Sequence, residues 1–205
     1  MPTILVVPLL WAWIAGCSPH SASAPPASSS RTAAQLAWPV PAGWKHETIP
    51  FPLDFAPGLP FRGTEELRFA PGFFQPDSST YWSYAFAWSL EDPPRFDADT
   101  LAPVLREYFS GLAQAVGKDK YAMDPARFKV ELAPRIEGGR RMLAGLVRSY
   151  DPFVTGAPID LNVEARLRER PRGGPPVLTF LLSPRPFGDA VWAELHACEA
   201  GLRWE

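Results

Sequence analysis

The chain has 205 residues, 46% hydrophobic and 20% charged, enough for one core of ordinary size and too few for an array of domains. A net charge of −2 and a pI near 6.0 give no general attraction to nucleic acid or to anionic lipid. The two cysteines, Cys17 and Cys198, are too few for a disulfide framework or a cysteine-rich metal centre.

Residues 4–16 read ILVVPLLWAWIAG, an uncharged apolar run too short to span a bilayer core, which needs about twenty residues. Its length suits the hydrophobic region of a signal peptide. It ends in Ile14-Ala15-Gly16-Cys17, an aliphatic residue and two small ones before a cysteine, and so resembles the lipobox of bacterial lipoproteins. The resemblance covers residues 1–17. It implies cleavage before Cys17, a thioether-linked diacylglyceryl group on its sulfur, and anchoring by several acyl chains, where one chain is marginal. Ser18 in the next position implies transfer to the outer membrane, with the protein facing the periplasm. The alternative is an ordinary cleaved signal at Ala22-Ser23-Ala24 and plain secretion. Residues 17–41 are rich in Ser, Ala and Pro, with a single charge at Arg31. Such a composition reads as a disordered tether, leaving residues 42–205 as one domain.

The 25 prolines, about twice the usual frequency, mark turns and strand ends in that domain. A first strand is predicted over 44–51 and a second over 64–70, stopped by Pro71-Gly72. The clearest strand runs over 80–90, with Trp82, Tyr84, Phe86, Trp88 and Leu90 on one face and Ser83, Ala85, Ala87 and Ser89 on the other. Leu101, Val104, Leu105, Tyr108, Phe109, Leu112 and Val116 then recur at helical spacing, predicting a helix over 97–116. Asp97 or Asp99 offers its cap, and Pro103 stands in or near the first turn. Four strands follow in series. The first is closed by Pro134, the second covers 140–150, the third alternates from Ile159 to Leu167, and the fourth, 177–182, is nearly all apolar and so buried on both faces. A last helix is expected over 188–200, capped by Asp189. Short turns between strands demand antiparallel pairing. The expected fold is therefore α+β, an antiparallel sheet of six or seven strands with two packed helices.

Chemical motifs are sparse. There is no G-x-S-x-G, S-x-x-K, G-x-G-x-x-G or P-loop. His46 and His196 lack partners at zinc-ligand spacing, so His196 reads as a partly exposed helix-surface residue, and no metal or cofactor is expected. Cys198 sits on an apolar helix face, which raises a thiol pKa and makes an inert, buried sulfur. Glu65 and Glu66 are strand neighbours pointing to opposite faces. Arg166, Arg168, Arg170 and Arg172 read as a solvated strand face rather than a nucleic-acid surface.

The aromatic row Trp82, Tyr84, Phe86 and Trp88 has two readings, a packed core or a groove for an apolar or stacking ligand, rimmed by Arg62, Gly63 and the 51–60 loop. Phe73 and Phe74 look like turn aromatics suited to a partner surface. The expected function is that of an envelope lipoprotein, non-enzymatic, membrane-attached through Cys17 and binding a partner protein or apolar ligand. The alternative is an envelope hydrolase whose two acids come from separate strands.

Overall fold

The computed structural model describes residues 36–171 and 173–205. In chain order they form β1 (Leu36–Ala37), β2 (Lys45–Phe51), β3 (Gly63–Phe69), β4 (Tyr84–Leu90), α1 (Ala98–Gly117), β5 (Lys129–Glu137), β6 (Arg140–Tyr150), β7 (Pro158–Arg168), β8 (Val177–Ser183), α2 (Ala190–Ala200) and β9 (Arg203–Trp204). The fold is α+β. Seven strands make one antiparallel sheet in the order β2-β3-β4-β8-β7-β6-β5, and β1 pairs with β9 in a small second sheet.

Two meanders, β2-β3-β4 and β5-β6-β7-β8, meet where β4 pairs with β8. Those two strands are therefore the most enclosed, and all seven residues of β8 are buried, as its continuous apolar run predicted. Each face of β4 meets a different helix. Phe86 and Trp88 pack under α1, with Phe86 stacked on Phe180 at 4.3 Å and on Tyr108 at 5.5 Å. Ala85 and Ala87 lie on the other face, in a cluster with Val191, Trp192 and Leu195 of α2. Large residues fill the space beneath α1, and small ones let α2 approach the sheet closely.

Both helices start where their caps indicate. In a capping box the Asp97 carboxylate accepts from the Thr100 N–H and the Thr100 hydroxyl accepts from the Asp97 N–H, and the Asp189 carboxylate accepts from the Val191 N–H at 3.1 Å. Removing that second cap with Asp189→Ala should cost about 1 kcal/mol, read as a lower midpoint in urea with an unchanged slope. With Asp97 rather than Asp99 as the cap, Pro103 is the sixth helical residue, just past the first turn and on the exposed side.

Three expectations need correction. The strand predicted from residue 80 begins at Tyr84, because Trp82 takes φ 51° in a turn whose N–H donates to the Phe73 carbonyl at 3.1 Å. Pro134 does not close β5, which continues to Glu137 with Pro134 opposite Leu143. β5 is an edge strand, and there the missing N–H faces outward at no cost to the ladder; Pro50 occupies the other edge strand, β2, in the same way. The folded region also starts earlier than residue 42. Leu36 and Ala37 pair with Trp204 and Arg203. Trp38 is buried, donates from Nε1 to the Cys198 carbonyl at 2.8 Å, and carries the Arg68 guanidinium on its ring at 4.7 Å.

Candidate functional site

The residues singled out in the sequence separate sharply. Trp82, Tyr84, Phe86 and Trp88 are each 2% exposed or less, so the row is core and not a groove. Their rings are enclosed by Phe51, Phe61, Phe73, Tyr108, Phe153 and Phe180. Phe73 is also buried, its ring against Phe69 and Trp82. Only Phe74 stays at the surface, 42% exposed, with the Lys45 ammonium 5.7 Å from its ring centre. The proposed rim does border a cleft of about 150 Å³, formed by Pro60, Phe61 and Arg62 with Leu90, Glu91 and Asp92, but the aromatic row does not open into it. Cys17 lies outside the described residues, as does Arg172. Cys198 is buried and its thiol is pushed up to about 12 by burial, which suits an inert sulfur.

One buried acid stands within the aromatic core. Glu65 follows the alternation of β3 onto the α1 side with Leu67, while Glu66 on the other face pairs with Arg68 at 2.8 Å. The Glu65 Oε1 accepts from the Trp88 indole N–H at 2.9 Å, and Oε2 has no hydrogen-bond partner. Burial pushes this carboxyl up to about 7, against the smaller opposing effects of Trp88 and Tyr108. Its charge in turn acts on the buried hydroxyls of Tyr84 and Tyr108, both held well above the ordinary tyrosine value, mainly by burial.

The densest gathering of chemical groups lies on the opposite face. Glu164 and Arg166 come from β7, Thr179 from β8, Glu137 from the end of β5, and His196 and Glu199 from α2. The Arg166 guanidinium holds them together. Its Nη2 donates to Glu164 Oε2 at 2.7 Å and to Glu137 Oε2 at 3.2 Å, and its Nη1 donates to Glu199 Oε2. The other Glu199 oxygen accepts from the Thr179 hydroxyl at 2.6 Å, with Arg168 at 3.8 Å. His196 Nε2 lies 2.8 Å from Glu164 Oε2 and 3.3 Å from Arg166 Nη2. A guanidinium only donates and an ionised carboxylate only accepts, so this nitrogen serves one neighbour at a time. Carrying a proton it donates to Glu164; bare, it accepts from Arg166.

Among the described residues, Glu137, Glu164 and His196 bring three potential metal-ligand atoms within 4.8 Å of one another. Arg166 Nη2 touches all three of those residues, so the protein's own cation fills the place a metal ion would take. The donor set as arranged does not fit a resident metal. The two acids also meet the description of a pair from separate strands, but the guanidinium bridges them where a hydrolase needs a gap for water.

Sequence reasoning missed this cluster. Arg166 and Arg168 are not a solvated face, since α2 covers that side of β7 and Glu164 and Glu199 are 2% and 3% exposed. Arg170 lies against the Trp204 ring, 5.1 Å from its centre. The available signal was the three-residue spacing of His196 and Glu199, which puts two polar groups on one side of a mainly apolar helix.

The arrangement defines a class by architecture alone, an antiparallel sheet with one helix on each face and an ion network under the second. No family model matches the chain, and neither a curated protein nor a solved structure matches it.

Proposed function

We propose that this chain is an envelope lipoprotein, held to the membrane through Cys17, whose domain works by contact with another protein. The observation that carries the choice of a protein over an apolar ligand is the closure of the aromatic row beneath α1, where Phe86 and Trp88 have no exposed surface. The larger of the two described clefts, about 280 Å³, is lined by Asp124, Arg127, Lys129, Arg148 and Tyr150; that charged lining is unlike an apolar ligand site. Apolar surface is instead displayed outward on the sheet. Ile136 is 71% exposed and Leu167 50% exposed, both on the α1 side beyond the helix. Arg141, exposed on the intervening strand β6, stands opposite Ile136, and Leu143, the next residue of β6 on that face, packs only partly against the core. Exposed apolar residues set around an arginine on one sheet face have the composition of a protein interface.

Two measurements test the reading separately. The native chain should fractionate with membranes and incorporate a palmitate analogue, and Cys17→Ser should lose both properties. Equal membrane partition of the two forms refutes the anchor. A photo-crosslinking amino acid replacing Leu167 should capture a protein in intact cells, whereas one replacing exposed Lys118 should not. A lipid recovered in equal molar amount with the extracted domain, with no crosslink from position 167, overturns protein contact.

A further inference from the structure

The edge strand β5 is written as its own partner. Lys129, Glu131, Ala133, Arg135 and Glu137 alternate on one face, and Val130, Leu132, Pro134 and Ile136 on the other. If a second copy of the strand lies antiparallel beside it with a twofold axis at Ala133, Lys129 faces Glu137 and Glu131 faces Arg135, each twice. On the second face Val130 meets Ile136 and Leu132 meets Pro134. Opposite charges directly across a pair of strands stabilise it, and like charges oppose it.

Neighbouring registers fail by the same rule. A slip of two residues one way puts Lys129 against Arg135, and the other way puts Glu131 against Glu137. A further slip sets Glu131 against Glu131 or Arg135 against Arg135. Charges on an edge ordinarily block pairing; here they block every register that overlaps five or more residues of the strand except this one, and the registers beyond keep only a three-residue overlap. The opposite edge strand, β2 (KHETIPF), contains no such palindrome.

We propose that two copies of this chain associate through β5, joining their sheets into one across a twofold axis at Ala133. This rests on the reading that this end of the sheet is an interaction surface, and it names the partner. The backbone is ready for it. Pro134 belongs to the outward-facing set with Val130, Leu132 and Ile136, because a proline in an edge strand directs its missing donor away from the sheet. The outward groups of Val130 and Ile136 can therefore pair in both directions. Leu132 donates to the Pro134 carbonyl of the second copy, and the reciprocal bond is absent, so the contact is reversible rather than permanent. It also covers Ile136, which comes to lie beside Val130, a residue already packed partly against the core under α1.

The existing contacts of these charges are peripheral. Glu131 pairs with Arg148 at 3.0 Å and Glu137 with Arg166 at 3.2 Å, both with largely exposed glutamates, and the Arg135 guanidinium lies 5.5 Å from the centre of the Phe187 ring. Exposed pairs of this kind are worth little and can be shared with a second copy.

The test uses the full chain carrying Cys17→Ser. Sedimentation up to about 0.1 mM should show a monomer–dimer equilibrium. Glu131→Arg and Arg135→Glu should each weaken it at least tenfold, and the two together should restore it to within about threefold, since the swap preserves every opposite pair. Ala133→Cys should form a covalent dimer under mild oxidation, because its two copies face each other at about 4.5 Å between Cα atoms. Lys129→Cys should not, its copies being roughly 27 Å apart. A strictly monomeric chain with no Ala133→Cys crosslink overturns the proposal, as does a dimer indifferent to the charge swap. If the chain is strictly monomeric and a different protein is captured from position 167, self-pairing is wrong while protein contact stands; if neither a dimer nor a captured protein appears, both readings fall.

Discussion

Replacing Glu65 by glutamine should stabilise the folded domain by about 3 kcal/mol at pH 8 and change it little at pH 4. The carboxyl is raised from 4.5 to about 7 in the fold, and each tenfold gain in proton affinity corresponds to about 1.4 kcal/mol. The sign follows from proton counting. Between the two values the folded state holds a proton that the unfolded chain has released, so stability falls as pH rises through this window and levels off above about 7. Below 4.5 both states are protonated and the penalty vanishes. Glutamine keeps an oxygen for the Trp88 indole N–H and cannot ionise, so the variant should lack this part of the pH slope. Urea unfolding at pH 4, 5, 6, 7 and 8 on both proteins isolates the effect, because all other titrating groups are common to the pair. Parallel stability profiles for the two would show that the Glu65 charge is not what weakens the fold at alkaline pH.

The contrast between Glu65 and Glu66 shows what alternation reveals and what it hides. Opposite faces were legible from adjacency alone, and the structure sends Glu65 into the core under α1 and Glu66 to Arg68 on the far side. Which face would be dry was not legible from those two residues, since it depends on what stands above β3. β4 was legible because its large and small residues fall on separate faces, and β8 because an apolar run with no alternation fits only a strand covered twice. The aromatic row was equally visible, yet its role turned on whether a helix covers it, and the stripe of α1 supplies that cover through Leu105, Tyr108 and Phe109. The segment around Trp38 was obscured by the Ser/Ala/Pro composition before it, and its partners, Trp204 and the Cys198 carbonyl, lie about 160 residues away. Pro134 misled because an edge position cannot be recognised until the strand order is known.

The same dependence on cover explains the ion network and leads to the second large effect. Arg166→Ala should destabilise the fold by about 3–5 kcal/mol, the usual consequence of removing one partner from a buried charge group. Glu164 and Glu199 are nearly without solvent, and both lose their closest cation while Arg168 remains 3.8 Å from Glu199. The truncation also empties the position between Glu137, Glu164 and His196, whose ligand atoms already lie within 4.8 Å of one another. Zinc takes carboxylate oxygen and imidazole nitrogen at about 2.0–2.2 Å, so small side-chain movements complete a three-ligand site. Thermal unfolding in excess zinc should therefore recover a large share of the loss in Arg166→Ala, since a ligand present at about a hundred times its Kd stabilises by about 2.7 kcal/mol. The native protein should show no comparable gain, because its guanidinium holds the place. Adding His196→Ala to the variant should abolish the zinc response without restoring stability. A zinc-induced rise of equal size in the native chain, or an Arg166→Ala protein as stable as the native one, would mean that the guanidinium is not the cation on which these glutamates depend.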